Sequence, residues 1–436
     1  MRKAIILYER KNREFENCLI LKKGLEDAGY KVVISHFLNP VHFNWFQNKS
    51  YKYMFVPHLY NDDSCYRNLH RFGKAEYVVN LQYEQVLSVK WEQLGHHNPK
   101  GLALDALHIC WGKLTQERLH KAGVPLENCP VLGTLQLDLL RDEFRDSHHV
   151  TKNKMAKQFK LNEQKPWVLF LSSFTYADIS SQRLKINEDV AGIPLHDIVP
   201  FYTDSRNLLI DWFDEYLKVN QDCLFIYRPH PDELNLDIVK KLKNRHNNFV
   251  IIADGSAKQW IAASDLNFTW YSTTVVESQA LNKSSFILRP VELPDYFDSV
   301  LLKKGDFVTK LSDFVSINSN TSFNQPISSC YVEDYYSNSP SPAYMNIIRY
   351  LESKNKNDHE LPVDRKRLAS NYAKMFAISI IYFLHKFKLV NLDGKSLGEN
   401  NTIVDQWLLE MSNQFYTIEE YTALDNDIRT RIDRAK

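Results

Sequence analysis

Glycine is scarce in this chain, 13 residues in 436, and the motifs that depend on it are missing. No Gly-x-Gly-x-x-Gly follows the first apolar run, which argues against a dinucleotide redox enzyme. There is no Walker A segment and no Gly-x-Ser-x-Gly elbow. Any phosphate would therefore be held by side chains and helix starts. Cysteine supplies no framework either. Cys18, Cys65, Cys110, Cys129, Cys223 and Cys330 stand singly, with no CxxC and no metal-ligand spacing. That usage fits a reducing cytoplasm better than a disulfide scaffold. Asn61-Asp62-Asp63 is not an Asp-x-Asp pair, and the adjacent His96-His97 cannot share one face of a helix or strand. No metal site is expected.

A charge excess is also lacking. Lys+Arg is 54 and Asp+Glu is 53, a formal net charge of +1, which argues against a general nucleic-acid partner. No run approaches the ~20 apolar residues of a membrane-spanning helix. The apolar part of the start, Ala4-Ile5-Ile6-Leu7-Tyr8, is too short for a signal peptide and reads as a buried strand. A soluble or peripheral cytoplasmic protein is expected.

What the chain does have is an alternation of strand and helix signals, repeated in two blocks. In the first, strand runs at 4–8, 31–35, 53–57, 77–81, 108–112 and 129–133 interleave with helical spacing at 15–28 and 115–122. Gly29 stands where the first helix should stop. In the second, strands at 166–173, 223–227, 249–252, 266–269 and 285–288 interleave with helices at 208–219, 236–244, 258–263 and 274–280. This order predicts two parallel α/β domains, which suits a length too great for one core. The expected division is a first domain over 1–145, a polar linker or surface helix over 146–165, and a second domain over 166–340. A helical segment over 341–436 would pack back on the first domain. Residues 316–342 read as irregular. The amphipathic stretch 365–389 is open to two readings, a core-packing helix or a peripheral membrane contact.

Two segments stand out because each follows a strand-like run. Tyr227-Arg228-Pro229-His230-Pro231 follows the run 223–226, and Ser272-Thr273-Thr274 follows 266–269. Ligands of open α/β sheets bind at the carboxyl ends of strands. A guanidinium there can grip phosphate in bidentate fashion, and a histidine beside it can bond a phosphate oxygen or protonate a leaving group. The flanking prolines restrict the histidine's backbone. Ser272, Thr273 and Thr274 open a helix whose free N–H groups could hold phosphate. Glu277, one turn in, could meet ribose hydroxyls or close a capping box with Thr274. Read alone, Pro-His-Pro is a surface turn; the second segment turns it into half of a site. In the first block, Glu84 follows the run 77–81 and is the first candidate for a general base, with a solvated glutamate as the bland alternative. Glu9 to Glu14 follows the first strand in the same way, and Gly133, Thr134 and Asp138 follow the last.

These residues resemble GT-B glycosyltransferases of bacterial surface polysaccharide assembly, in capsule and lipopolysaccharide. Arg228-Pro229-His230-Pro231 looks like the His-Pro motif of enzymes that use cytidine-nucleotide donors: bacterial sialyltransferases, Kdo transferases, and the polyol-phosphate transferases of teichoic acid synthesis. Ser272-Thr273-Thr274 with Glu277 looks like the Ser/Thr motif that accompanies it, and Lys11-x-Arg13-Glu14 and Ser172-Ser173-Phe174 are similar to surface carbohydrate biosynthesis proteins. The resemblance covers roughly residues 1–300 in organisation and is motif-specific only over 228–277. It implies two Rossmann-like domains facing across a cleft. It also implies a metal-independent transfer of a sugar from a nucleotide-activated, CMP-linked donor such as Kdo or sialic acid, with no further cofactor, to an oligosaccharide or lipid-linked glycan. His230, Ser272 and Thr273 would contact the donor's phosphate. The acidic motif of sialyltransferases is absent, which leaves Glu84 as base. A retaining course would use an aspartate nucleophile, Asp197 or Asp204. Three alternatives stand beside this: a CDP-polyol phosphate transferase, a nonhydrolysing UDP-sugar epimerase, and a catalytically silent assembly subunit.

Overall fold

The computed structural model describes residues 2–37, 39, 50–93, 97–233, 235–354, 361, 380, 383–384, 389 and 414–435. Most of the amphipathic stretch 365–389 lies outside the described residues. The chain divides into two compact units. One comprises Met1–Gln85, His96–Leu139 and Tyr336–Lys436; the other comprises Val86–Gly95 and Leu140–Tyr335.

The first unit is built on a sheet of β1 (Lys3–Tyr8), β2 (Lys31–His36), β3 (Ser50–Val56), β4 (Lys74–Asn80) and β5 (Leu107–His108), in the order β2-β1-β3-β4-β5. All pairings are parallel. Parallel strands are covered on both faces, so they read as continuous apolar runs, and Ile5, Ile6 and Leu7 are buried accordingly. The helix Lys11–Asp27 follows β1 and ends at Gly29, whose φ of 84° is the left-handed stop expected from its position. The end of the chain closes this unit. Helix Ala343–Ser353 and helix Ile418–Arg434 pack on Lys11–Asp27. Buried Lys22 is paired with Asp425 at 2.9 Å, and Arg429 is paired with Glu26.

The second unit contains β6 (Trp167–Leu171), β7 (Leu224–Arg228), β8 (Phe249–Ile251), β9 (Leu266–Thr269), β10 (Ser285–Leu288) and β11 (Phe307–Val308), in the order β11-β10-β9-β6-β7-β8 and again all parallel. Counted within the unit this is 3-2-1-4-5-6, the dinucleotide-fold order. Its core is aromatic, with Phe170, Phe213, Phe225, Phe268 and Trp270 all buried. Helix His148–Phe159 belongs to this unit and is tied to it through Asp265, which accepts from Lys152 at 2.8 Å and from the Trp167 amide at 2.7 Å. Together the two sheets make the pair of Rossmann-like units expected of a GT-B-like chain.

Several elements depart from expectation. The run 129–133 forms only a single bridge, Cys110 to Val131, because Pro130 has no N–H for a ladder. The helix expected from 208 begins at Val199, with Pro200 in its first turn, where proline's fixed φ suits a helix start. β11 is two residues long, too short to leave a periodic signal. The segment expected to be irregular carries a helix, Ser329–Tyr335.

Candidate functional site

The strand order of the second unit reverses between β6 and β9, and the crevice at such a switch point is where open α/β sheets bind ligands. The register is level there, since Leu171 of β6 pairs with Arg228 of β7 on one side and Thr269 of β9 on the other. Three segments therefore leave the sheet side by side: Ser172-Ser173, Pro229-His230-Pro231, and Trp270 to Thr274. The two motifs singled out in the sequence share one edge.

The Arg228 guanidinium is buried and donates to the carbonyls of Ala253, Asp254 and Gly255 at 2.6, 3.1 and 2.7 Å. Burial pulls its pKa down to about 10, against the pull of Asp254 and Glu277. Arg228 thus braces the loop after β8. His230 is half-exposed in its turn, and its Nδ1 accepts from the Asp232 amide at 3.1 Å. Beneath it Glu233 is buried, accepting from the Ser172 hydroxyl at 2.5 Å and the Tyr227 hydroxyl at 2.6 Å. Burial raises the Glu233 pKa, with these donors opposing the rise.

The capping box, one of two readings of Thr274 and Glu277, does not form, since Thr274 is already inside the helix. The helix Thr274–Ala280 is capped at Thr273, whose backbone is helical and whose side chain makes no cap bond. Instead Ser272 Oγ accepts from the Thr274 amide at 3.3 Å and the Thr274 hydroxyl at 2.9 Å. Asp197 lies elsewhere in this unit, held by Lys90 at 2.9 Å and the Tyr296 hydroxyl at 3.2 Å. Burial opposes its ionisation, but Lys90 keeps its pKa below the usual carboxylate range. Asp204 is exposed on helix Val199–Val219.

The first unit has its own switch point, around β1, with β2 on one side and β3 on the other. At the carboxyl ends of β1, β3 and β4 is a cavity of about 220 Å³ lined by Glu9, Arg10, Arg13, Pro57, His58, Tyr60, Gln82, Tyr83 and Glu84. The Glu9 carboxylate is 3.4 Å from His58 Nδ1. Burial works against its ionisation, yet His58 brings its pKa down to about 2. Glu84 is paired with Arg13 at 2.6 Å. The Glu84 side chain is half exposed at the cavity mouth; the surrounding protein opposes its ionisation, but Arg13 and then His97 hold this carboxyl below its ordinary value. Glu14, fully buried behind Arg13, is raised by burial. Gln82 holds a φ of 35°, a sparsely populated conformation for a residue with a side chain. It is fixed by the Asn80 side chain, which accepts from its amide at 3.1 Å.

Glu84 and the segment after the first strand thus do come together. His58 and Tyr60 were missed. The same rule, residues just past the strand run 53–57, would have named them. Asp138 does not join the cavity. Its carboxylate accepts from the amides of Ala343 and Tyr344 at 2.7 and 2.8 Å, so it caps helix Ala343–Ser353.

No family profile and no curated protein sequence matches the chain. Solved structures do. UDP-GlcNAc 2-epimerase from Methanocaldococcus jannaschii is 12% identical, covers 81% of this chain and 100% of its own, with a TM-score of 0.49. The enzyme from Neisseria meningitidis bound to UDP-GlcNAc is 11% identical over 81% of this chain and 100% of its own, with a TM-score of 0.47. The wall teichoic acid polymerase TagF is 11% identical over 88% of this chain and 90% of its own, with a TM-score of 0.44. The two-sheet architecture itself is established by this chain's own strand order. Among the described residues no helix is long and apolar enough to cross a membrane.

Proposed function

We propose that the chain transfers a sugar from a nucleotide-activated donor to a surface-glycan acceptor, with the donor's phosphate at the carboxyl edge of the second sheet. One observation carries this reading: the register that delivers His230 and Ser272 to Thr274 to the same switch point. His230 and the hydroxyls of Ser272 and Thr273 donate hydrogen bonds to phosphate oxygens as charge develops on the departing nucleotide. Glu277 takes the ribose, and Arg228 holds the loop 253–255 that borders the edge. In the first unit, the His58–Glu9 pair has the form of a general base with an orienting carboxylate. Glu84, held ionised by Arg13, is the weaker base. A CMP-linked sugar is the donor that the motif resemblance favours.

A thermal-shift series with CMP, CDP, UDP and GDP tests the reading. A nucleotide present at a hundred times its Kd adds about 2.7 kcal/mol to the folded state. For a unit of this size that is a rise of roughly 5–10 °C. No rise with any of the four overturns the proposal. With a binder in hand, a CMP-sugar, a CDP-polyol and a UDP-sugar without acceptor separate sugar transfer, polyol-phosphate transfer and epimerisation.

A further inference from the structure

The turn that carries His230 decides which of its ring nitrogens holds the proton. His230 to Glu233 is closed by the Glu233 amide donating to the His230 carbonyl at 2.9 Å. Pro231 sits at the second position, where proline presets the backbone of such turns. Pro231 has no N–H, so the first amide after His230 belongs to Asp232, and this amide folds back to donate to His230 Nδ1 at 3.1 Å. A proton on Nδ1 would collide with that amide hydrogen. The Asp232 carboxylate, 3.7 Å from the same nitrogen, is beyond hydrogen-bonding distance and does not compete. In the neutral ring the proton therefore sits on Nε2.

Glu233 holds this turn from below. One carboxylate oxygen accepts from the Ser172 hydroxyl and, at 3.3 Å, from the His230 amide; the other accepts from the Tyr227 hydroxyl. Both outside partners are on neighbouring strands or just past their ends, so the turn is fastened to the sheet at the switch point itself. We propose that the Asp232 amide and the Glu233 carboxylate are positioning groups that present His230 as an Nε2–H donor to a phosphate oxygen, not as a base. The phosphate partner rests on the nucleotide reading above; the tautomer does not.

The test has two arms. The full-length protein, labelled with 15N in histidine, gives a long-range 1H–15N spectrum under mildly alkaline conditions, with His230→Gln used to assign the ring. The expected pattern shows Nε2 protonated and Nδ1 bare; an Nδ1–H pattern overturns the proposal. Glu233→Gln, checked for folding by circular dichroism, is expected to give a mixture of tautomers, and an unchanged pattern removes Glu233 from the scheme. The second arm uses nucleotide affinity. Gln places an N–H donor near the ε position and Asn near the δ position. His230→Gln is expected to bind within about threefold of the parent, and His230→Asn to lose about tenfold or more, as for one hydrogen bond to a charged group. Equal binding by the two variants overturns the donor role. If the parent binds no nucleotide, the functional reading fails while the spectrum still decides the tautomer.

Discussion

Replacing Arg228 by alanine separates a bracing role from a ligand-binding one. The guanidinium makes three hydrogen bonds to the carbonyls of residues 253–255. A bond with a charged donor is worth about 1.5–3 kcal/mol, so the set is worth roughly 4–9 kcal/mol. Three bonds to one group are not additive, and about 3 kcal/mol, less than their sum, is the working figure. In a unit of this size that lowers the melting temperature of the second unit by roughly 6–12 °C, measured by calorimetry without ligand. Arg228→Lys keeps the charge but not the planar fork, and should recover about half of the loss. If Arg228→Ala melts within about 2 °C of the parent while nucleotide affinity measured by titration collapses, the guanidinium serves the ligand and the bracing argument is wrong.

Two further outcomes follow from the packing. Gly24 lies inside helix Lys11–Asp27, where alanine would ordinarily stabilise by about 1 kcal/mol. A Cβ there would sit 2.6 Å from the Tyr344 ring and 2.7 Å from Ile348 Cδ1. Gly24→Ala should therefore destabilise by about 1–3 kcal/mol in urea unfolding, and a stabilised variant would refute the close approach of the two helices. For Asp265, burial raises the pKa but His148, Lys152 and the Trp167 amide lower it more, leaving it well below the usual aspartate value. A carboxyl whose folded-state pKa is depressed stabilises above its unfolded pKa and loses that contribution as pH falls below it. Stability measured from pH ~5 downward should fall, and Asp265→Asn should be less stable at neutral pH with a flatter acid limb. Parallel pH curves for the two proteins would contradict the pairing.

Much of this chain is legible without a structure. The apolar runs in β1, β6, β7 and β10 declare themselves, because a strand buried on both faces is mostly apolar. Gly29 announces the end of its helix, and His230 and Ser272 can be seen to follow strands. Thr274 and Glu277 show how far local reading goes. Their spacing suits a capping box, but the helical backbone of Thr273 moved the cap and Ser272 took the amide instead.

Periodicity places residues on strands but does not say which strands become neighbours. That follows from how crossovers bury their helices against the sheet, and it put β6 between β7 and β9, bringing His230 and Ser272 to one edge. The partners that revised individual roles are likewise distant in sequence. Arg228 meets carbonyls 25 to 27 residues away, and Asp138 caps a helix 205 residues on. His58 meets Glu9 only because β3 lies against β1. The sequence by itself determined the two α/β blocks and the residues at their strand ends. Only the tertiary structure decided which of those residues hold the scaffold and which remain for a ligand, because a side chain's task is set by the groups that folding brings within hydrogen-bonding distance.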